Sequence, residues 1–211
     1  MNRIDMSTYP RQEAYEHFSR VDWPFYSVTF QADVTGAAEF AKARGLSFYG
    51  VMIWAVSRAV NRVDAMMLTV RDGELWRLDR REPSFTDLHP GAEQFHIVTL
   101  PMMDDPADFA REARRVSAAQ QVFLDYSKES DGLIFISSVP WLNLTSLTNE
   151  RQIDRDDCTP RIAWGRWQET SGRKTLGVSV EVNHRTVDGL HIARFAQALE
   201  EEINALAART D

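Results

Sequence analysis

One cysteine, Cys158, in 211 residues excludes an intramolecular disulfide and any metal cluster built on several thiolates. Such a chain suits a reducing compartment, and the cytoplasm is the expected location. Positive charge is also scarce: 24 lysines and arginines stand against 31 aspartates and glutamates, a formal charge of -7. Nothing general then attracts nucleic acid or an anionic membrane surface, so neither is expected as a partner, and an anionic ligand must find a local basic pocket. Long apolar runs are missing. The longest, FYGVMIWAV at 48–56, is far from the roughly 20 residues that cross a bilayer, and the N-terminus MNRIDMSTYPRQEAYEHF has no apolar stretch of the signal-peptide kind. The glycines form no Walker or Rossmann phosphate loop, and no G-x-S-x-G turn offers a hydrolase serine.

What is present is ordinary globular material, 44% hydrophobic and 26% charged, enough for one compact domain over residues 1–211. The pattern predicts a short polar helix from Arg11 to Arg20 behind Pro10, a strand over 25–34, a brief helix ending at Gly45, and a buried helix from Phe48 to Val63 capped by Ser47. MMLTVRDGELWRL reads as a hairpin turning at Asp72-Gly73, QFHIVTL as a strand, and Asp105 to Phe123 as a solvent-facing helix. GLIFISSV reads as a buried strand, and RIAWGRWQET with TLGVSVEV as a hairpin turning around residues 171–174. The last helix aligns Leu190 or Ile192 with Phe195, Leu199 and Ile203. Strands and helices do not alternate strictly, which favours an α+β fold, a mixed β-sheet with flanking helices.

Of the five histidines, His17, His89, His96, His184 and His191, most are expected to be structural or on the surface. His184 stands apart. It follows the alternating run TLGVSVEVN and precedes the helix-opening DGLHIARF, so it is expected at or just past a strand end, where a side chain can face a cleft rather than a core. A neutral imidazole there can take a proton from a bound hydroxyl near neutral pH without large tuning. Asp188 also suits the N-cap of the last helix, with Gly189 easing the entry, and His191 is expected on that helix's exposed flank. His184 and His191 lack the spacing of a helical metal pair, and no acidic ligands fall in register with them, so no metal is expected. Cys158 and the run DRDDC read as a polar, solvated loop, and the six tryptophans as core or cleft lining.

Taken together, HRTVDGLHIARF, YPRQEAYEHF, FYGVMIWAVSRAVNRV, RDGELWRLDRREPSFTDLHPGAEQFHIVTL and SSVPWLNLTSLTNE resemble the chloramphenicol acetyltransferase family, in order and over nearly the whole chain. The first carries H-x-x-x-D-G, a motif shared with the acyltransferases of 2-oxoacid dehydrogenase complexes and with peptide-synthesis condensation domains. The others resemble the family's W-x-R-x-x-x-F helix, its K-F-Y-P-x-M-I-Y helix, its hairpin and P-x-F-T strand region, and its P-W-x-x-F-T-S-F loop.

The resemblance implies the coenzyme A-dependent acyltransferase fold and direct acetyl transfer from acetyl-CoA to a hydroxyl of chloramphenicol. His184 would be the general base, Ser146 the hydrogen-bond donor to the oxyanion, and Asp188 the partner of Arg11 in a buried ion pair. Arg166 and Trp167 would meet the coenzyme A nucleotide, and Phe95 and Ile97 would line the acceptor pocket. The family also implies a homotrimer in which one subunit supplies the base to a pocket completed by the next. The chain departs from the family at Glu181 and Asn183 (family Q-x-H-H), at Ala163 (a threonine), and at Ser47 and Gly50 (lysine and proline). Those departures leave two alternatives: a different hydroxyl acceptor or acyl donor, and a non-catalytic homologue that binds coenzyme A or a drug. A fragment of a dehydrogenase-complex acyltransferase would bring a lipoyl-like domain or an Ala-Pro linker, and the chain has neither.

Overall fold

The computed structural model describes residues 1–209. The chain opens with β1 (Asn2–Arg3) and α1 (Gln12–Phe18), followed by β2 (Phe25–Asp33), α2 (Thr35–Ala43) and α3 (Phe48–Asn61). Ser47 starts α3, its Oγ accepting from the Gly50 amide at 3.3 Å. β3 (Leu68–Arg71) and β4 (Glu74–Arg77) form the first predicted hairpin, and β1 joins it as a third strand. Then come β5 (Glu82–Asp87), β6 (His96–Thr99), α4 (Pro106–Ala119), β7 (Leu133–Val139), β8 (Arg161–Gly165), β9 (Gln168–Thr170), β10 (Arg173–Asn183) and α5 (Gly189–Ala207). Both hairpins turn through two residues of positive φ, Asp72 and Gly73 at 53° and 77°, Ser171 and Gly172 at 51° and 82°. That is the geometry whose twist matches the flanking strands. The second turn is tighter than predicted, because Arg173 and Lys174 already pair with Thr170 and Glu169.

The large sheet has the order β2-β10-β8-β7-β5-β6, with β9 also on β10. β8, β7 and β5 run parallel and the remaining neighbours antiparallel, which is the mixed sheet of the α+β expectation. One face is packed by helices. Leu176, Val178, Val180 and Val182 of β10 share a cluster with Phe40 of α2, Ile53 of α3, and Phe195 and Leu199 of α5. Successive strand residues point to opposite faces, so Gly177, Ser179, Glu181 and Asn183 turn the other way. These too are buried, because the long segment between β7 and β8 covers that face.

Several expectations are corrected. Ile192, not Leu190, joins the buried line of α5, and Leu190 is exposed. α4 stops at Ala119 rather than Phe123 and is not simply solvent-facing. Phe109, Ala110 and Ala113 are buried; small residues on this face let the helix lie close to α3 while its arginines point outward. Cys158 is buried, not in a solvated loop, and burial raises its thiol to about 11. Beside it lies Arg81, fully buried, whose guanidinium donates to five backbone carbonyls, those of Met66, Leu68, Asp131, Leu133 and Cys158. Periodicity gave no sign of that residue.

Candidate active site

His184 is the first residue past β10. Its amide donates to the Pro24 carbonyl at 2.7 Å, tying the strand end to the segment that enters β2. The imidazole stacks on Phe18 of α1, with ring centroids 3.9 Å apart and planes 10° from parallel, and meets Tyr26 of β2 at 4.4 Å. Nδ1 is buried without a hydrogen bond, 3.1 Å from Asp188 Oδ1 but out of line with it. The side chain is 32% exposed, so Nε2 is the nitrogen that faces outward. Neither Phe18 nor Tyr26 was singled out from the sequence. Tyr26 pairs with Val182, two residues before the histidine, and only the strand register reveals that closeness.

The turn from His184 to Asp188 is held by Arg11, which lies just before α1. Nε and Nη2 donate to the two Asp188 carboxylate oxygens at 2.9 and 2.6 Å. Nη1 donates to the Thr186 carbonyl at 2.6 Å and to that of Arg185 at 3.1 Å, and Nη2 reaches the His184 carbonyl at 3.3 Å. This pair is half-buried rather than buried: the Arg11 side chain is 15% exposed and that of Asp188 38%. Water still reaches the carboxylate in the single chain. His191 is not a bystander on the helix flank. Its Nδ1 accepts from the Asp188 amide at 2.9 Å, closing the first turn of α5, and burial first, then the Arg11 charge, lowers its pKa. The Tyr26 hydroxyl donates to the Val187 carbonyl at 3.3 Å, and burial, helped by the Asp188 charge, pushes it up to about 12.

A cavity of about 1330 Å³ opens elsewhere in the chain, between α3, α4 and strands β5 to β8. Phe95, Ile97, Arg166 and Trp167 all line it, together with Tyr49, Phe123 and Trp141. Phe95 lies 5.3 Å from Phe123, and Trp167 meets Phe48 edge-on at 4.5 Å. The Tyr49 hydroxyl donates to the Thr86 carbonyl at 2.6 Å and is held protonated, chiefly by burial. Arg166 is exposed, and its guanidinium has no acidic partner among the described residues. His184 and Ser146 do not line this cavity. Ser146 sits exposed in the loop after β7. One chain thus gathers four of the predicted site residues in one place and leaves the histidine and the serine outside it.

Two of the residues that depart from the family pattern, Glu181 and Asn183, serve the loop. Buried Glu181 accepts from Arg151 Nε at 2.6 Å, from the Asn149 amide at 2.9 Å and from Ser27 Oγ at 3.2 Å. Arg151 also lies over the Phe25 ring at 3.9 Å. Asn183 Nδ2 donates to the carbonyls of Arg155 and Asp157, and its Oδ1 accepts from the Arg185 amide. The acidic run is therefore not merely solvated. Asp157 bridges Arg151 and Arg161, whose charges hold its carboxyl below the ordinary value against the opposing effect of burial, and Asp156 pairs with Arg185. Ala163 is buried, opposite Ser179 on one side and Ser137 on the other. Among the described residues no group of three or more His, Cys, Asp or Glu is placed to hold a metal ion, and no helix is long and apolar enough to cross a membrane.

Residues 1–200 match the family model described as chloramphenicol acetyltransferase. The chain belongs to the chloramphenicol acetyltransferase family. Its relatives include chloramphenicol acetyltransferase 3 of Escherichia coli, 28% identical over 96% of this chain and 97% of that one. Another is the chloramphenicol acetyltransferase of Streptomyces acrimycini, 27% identical over 93% and 91%. A solved chloramphenicol acetyltransferase superposes with a TM-score of 0.86 at 25% identity, covering 96% of this chain and 100% of that one. The dihydrolipoamide acetyltransferase of Azotobacter vinelandii shares the fold at a TM-score of 0.69 and 17% identity, over 93% and 87% of the two chains. The family is one of acyltransferases, and the chain is an enzyme of that class with the coenzyme A-dependent acyltransferase fold.

Proposed function

We propose that this chloramphenicol acetyltransferase family member transfers acetyl from acetyl-CoA directly to a hydroxyl of chloramphenicol, both substrates being bound together. The observation that carries the reading is the histidine. Its ring is fixed between two aromatic side chains, with Nδ1 turned to Asp188 and Nε2 outward. The Asp188 carboxylate 3.1 Å away, though out of line for a hydrogen bond, presents negative charge to Nδ1, and in this scheme the proton sits there and the Nε2 lone pair is free to receive one. In this scheme His184 Nε2 takes the proton of the acceptor hydroxyl as that oxygen bonds to the thioester carbonyl carbon. Ser146 donates to the oxyanion that results, an interaction worth about 3 kcal/mol in a preorganised site. The imidazolium then returns its proton to the sulfur as the carbon–sulfur bond breaks. Asp188 and Arg11 hold the turn and do not relay a proton.

Arg166 and Trp167 fit the donor substrate, since an unpaired guanidinium suits a phosphate and an indole face suits adenine. Acetyl-CoA supplies the activated acetyl group. Phe95 and Ile97 fit the apolar part of the acceptor. We assign the protein to the cytoplasm as a homotrimer, acting on small molecules with no nucleic-acid or membrane partner. The absence of His184 and Ser146 from the cavity lining supports a site completed between chains. Sedimentation equilibrium should give three times the chain mass.

The deciding experiment is coenzyme A release from acetyl-CoA, with and without chloramphenicol, in wild type and His184→Ala. Release should require chloramphenicol and fall by about 10² to 10⁴-fold in the variant, with the fold retained by circular dichroism. Wild-type turnover in His184→Ala overturns the mechanism. A related hydroxyl acceptor is the second reading. It is favoured by the Glu181 carboxylate on the wall of a smaller cavity of about 280 Å³, with Trp23, Phe25 and Tyr26, beside the histidine. Ranking a panel of hydroxyl compounds by kcat/KM separates the two.

A further inference from the structure

The covered face of β10 meets the loop after β7 residue by residue. At Gly177 a Cβ would stand 2.2 Å from the Leu144 carbonyl oxygen, and at Gly165 of β8 one would stand 2.6 Å from that of Leu142. Any side chain at either position would lift the loop off the sheet. Two residues along, Ser179 Oγ donates to the Leu147 carbonyl at 2.8 Å. Two further on, Glu181 takes the Asn149 amide at 2.9 Å, and then Asn183 binds the carbonyls of Arg155 and Asp157. From the other end, the Arg166 amide donates to the Leu142 carbonyl at 2.7 Å. The loop is read at strand spacing, every second residue of β10 holding one point of it. Ala163, facing Ser179 across the strands, is small enough to leave that hydroxyl free to turn toward the loop.

Ser146 lies between the Leu144 and Leu147 anchors. Its own side chain is exposed, so nothing on the serine itself fixes where its hydroxyl points. We propose that Ser179 is a positioning residue for Ser146: by pinning the next carbonyl in the chain it sets the direction of the donor, with Glu181 fixing the backbone two residues beyond. This rests on the oxyanion role of Ser146 proposed above. A hydrogen-bond donor aimed at a developing charge loses most of its effect when displaced, so a small backbone shift reaches kcat without reaching substrate affinity.

The test is a double-mutant cycle on the full-length protein, with acetyl-CoA and chloramphenicol as substrates, combined with amide hydrogen exchange of residues 142–150. Ser179→Ala should lower kcat about tenfold with the KM for acetyl-CoA unchanged, and should speed exchange in the loop by a similar factor. Ser179→Thr, which keeps the donor, should restore both. In a Ser146→Ala background the Ser179→Ala substitution should have no further effect on kcat, since there is then no donor to aim. An equal loss of kcat in both backgrounds makes Ser179 merely structural and overturns the proposal. So does a Ser179→Ala variant with wild-type kcat where Ser146→Ala is impaired. Unchanged exchange in Ser179→Ala overturns it whatever the acceptor. If Ser146→Ala itself keeps full activity, it is the oxyanion role that fails.

Discussion

Removing Arg11 should cost more than a surface ion pair and less than a buried one, and the structure says by how much. The guanidinium makes a two-pronged bond to Asp188 and reaches the carbonyls of His184, Arg185 and Thr186. Breaking a fully buried pair costs about 3 to 5 kcal/mol, and an exposed pair contributes about 0 to 1 kcal/mol. The Asp188 side chain is 38% exposed, so water partly repays the stranded carboxylate and pulls the cost below the buried range. The carbonyls that lose a donor act the other way, at about 1 kcal/mol per hydrogen bond. For Arg11→Ala we expect a loss of about 2 to 3 kcal/mol, which for a chain of this length lowers the melting temperature by about 4 to 12 °C. Urea titration at fixed protein concentration measures it, since any oligomer makes stability concentration-dependent. Turnover should fall as well, because the turn that carries His184 is no longer held. Arg11→Lys restores the charge but not the fork, and should recover less than half of the stability. A loss below about 1 kcal/mol in Arg11→Ala, or full recovery by lysine, refutes the claim that guanidinium geometry holds the turn.

Two further outcomes follow from buried groups outside the site. His96 Nε2 meets Ser117 Oγ at 3.0 Å, and that hydroxyl donates to Asp87 Oδ2 at 2.6 Å, so the ring carries its proton on Nε2 and leaves Nδ1 buried and bare. Protonating Nδ1 buries an N–H without an acceptor, 4.1 Å from the stacked ring of His89. Burial first, then His89, lower the His96 pKa against the pull of Asp87, so its contribution to stability is complete above about pH 6.5 and is lost as pH falls through the depressed folded value. Melting temperatures measured from about pH 7.5 to 5 should show that decline, and His96→Phe should make it shallower, leaving the share of His191, whose pKa is lowered too; an equally steep profile in the variant removes His96 as a cause. The Cys158 thiol, raised to about 11 by burial, should not react with a disulfide reagent at pH 8 in the native protein and should react at once in denaturant. Rapid labelling of the folded chain would place it at the surface.

Legibility in the sequence followed distance along the chain. Ser47, the two hairpin turns and the strand-to-helix junction at His184 are local features, with caps, turn residues and periodicity all inside a dozen positions. Arg11 and Asp188 are 177 residues apart, and only a resemblance to a family could pair them before the fold was known. The acidic run failed for the same reason. Asp156 and Asp157 look like solvated charge until the fold brings Arg185, Arg151 and Arg161 to them. Cys158 sits among acidic residues in sequence and beneath a buried arginine in space. For β10 the alternation correctly marked a strand, but it could not say that the polar side is covered. Gly, Ser, Glu and Asn at alternate positions fit open water as well as they fit a loop whose backbone they bind.

The same strand carries the anchors of both proposed catalytic groups. Ser179 reaches the loop beside Ser146, and His184 follows five residues later along the same extended run. At about 3.3 Å per residue, that separation is roughly 16 Å. A base and an oxyanion donor acting on one carbonyl carbon must both lie within a few ångströms of it, so a loop anchored this far from the histidine supports the proposal that the two groups of one site come from different chains. In the proposed scheme β10 gives each chain two half-sites: a histidine at its end, held by the Arg11 clamp, and a serine loop along its covered face, held by Ser179 and Glu181. On that scheme a complete site sets the end of one chain's β10 against the loop and cavity of another, which is the geometric argument for the proposed assembly. The scheme also predicts that substitutions separate, because changes at Arg11 should act on the base and changes at Ser179 on the donor, on two different chains of one proposed site.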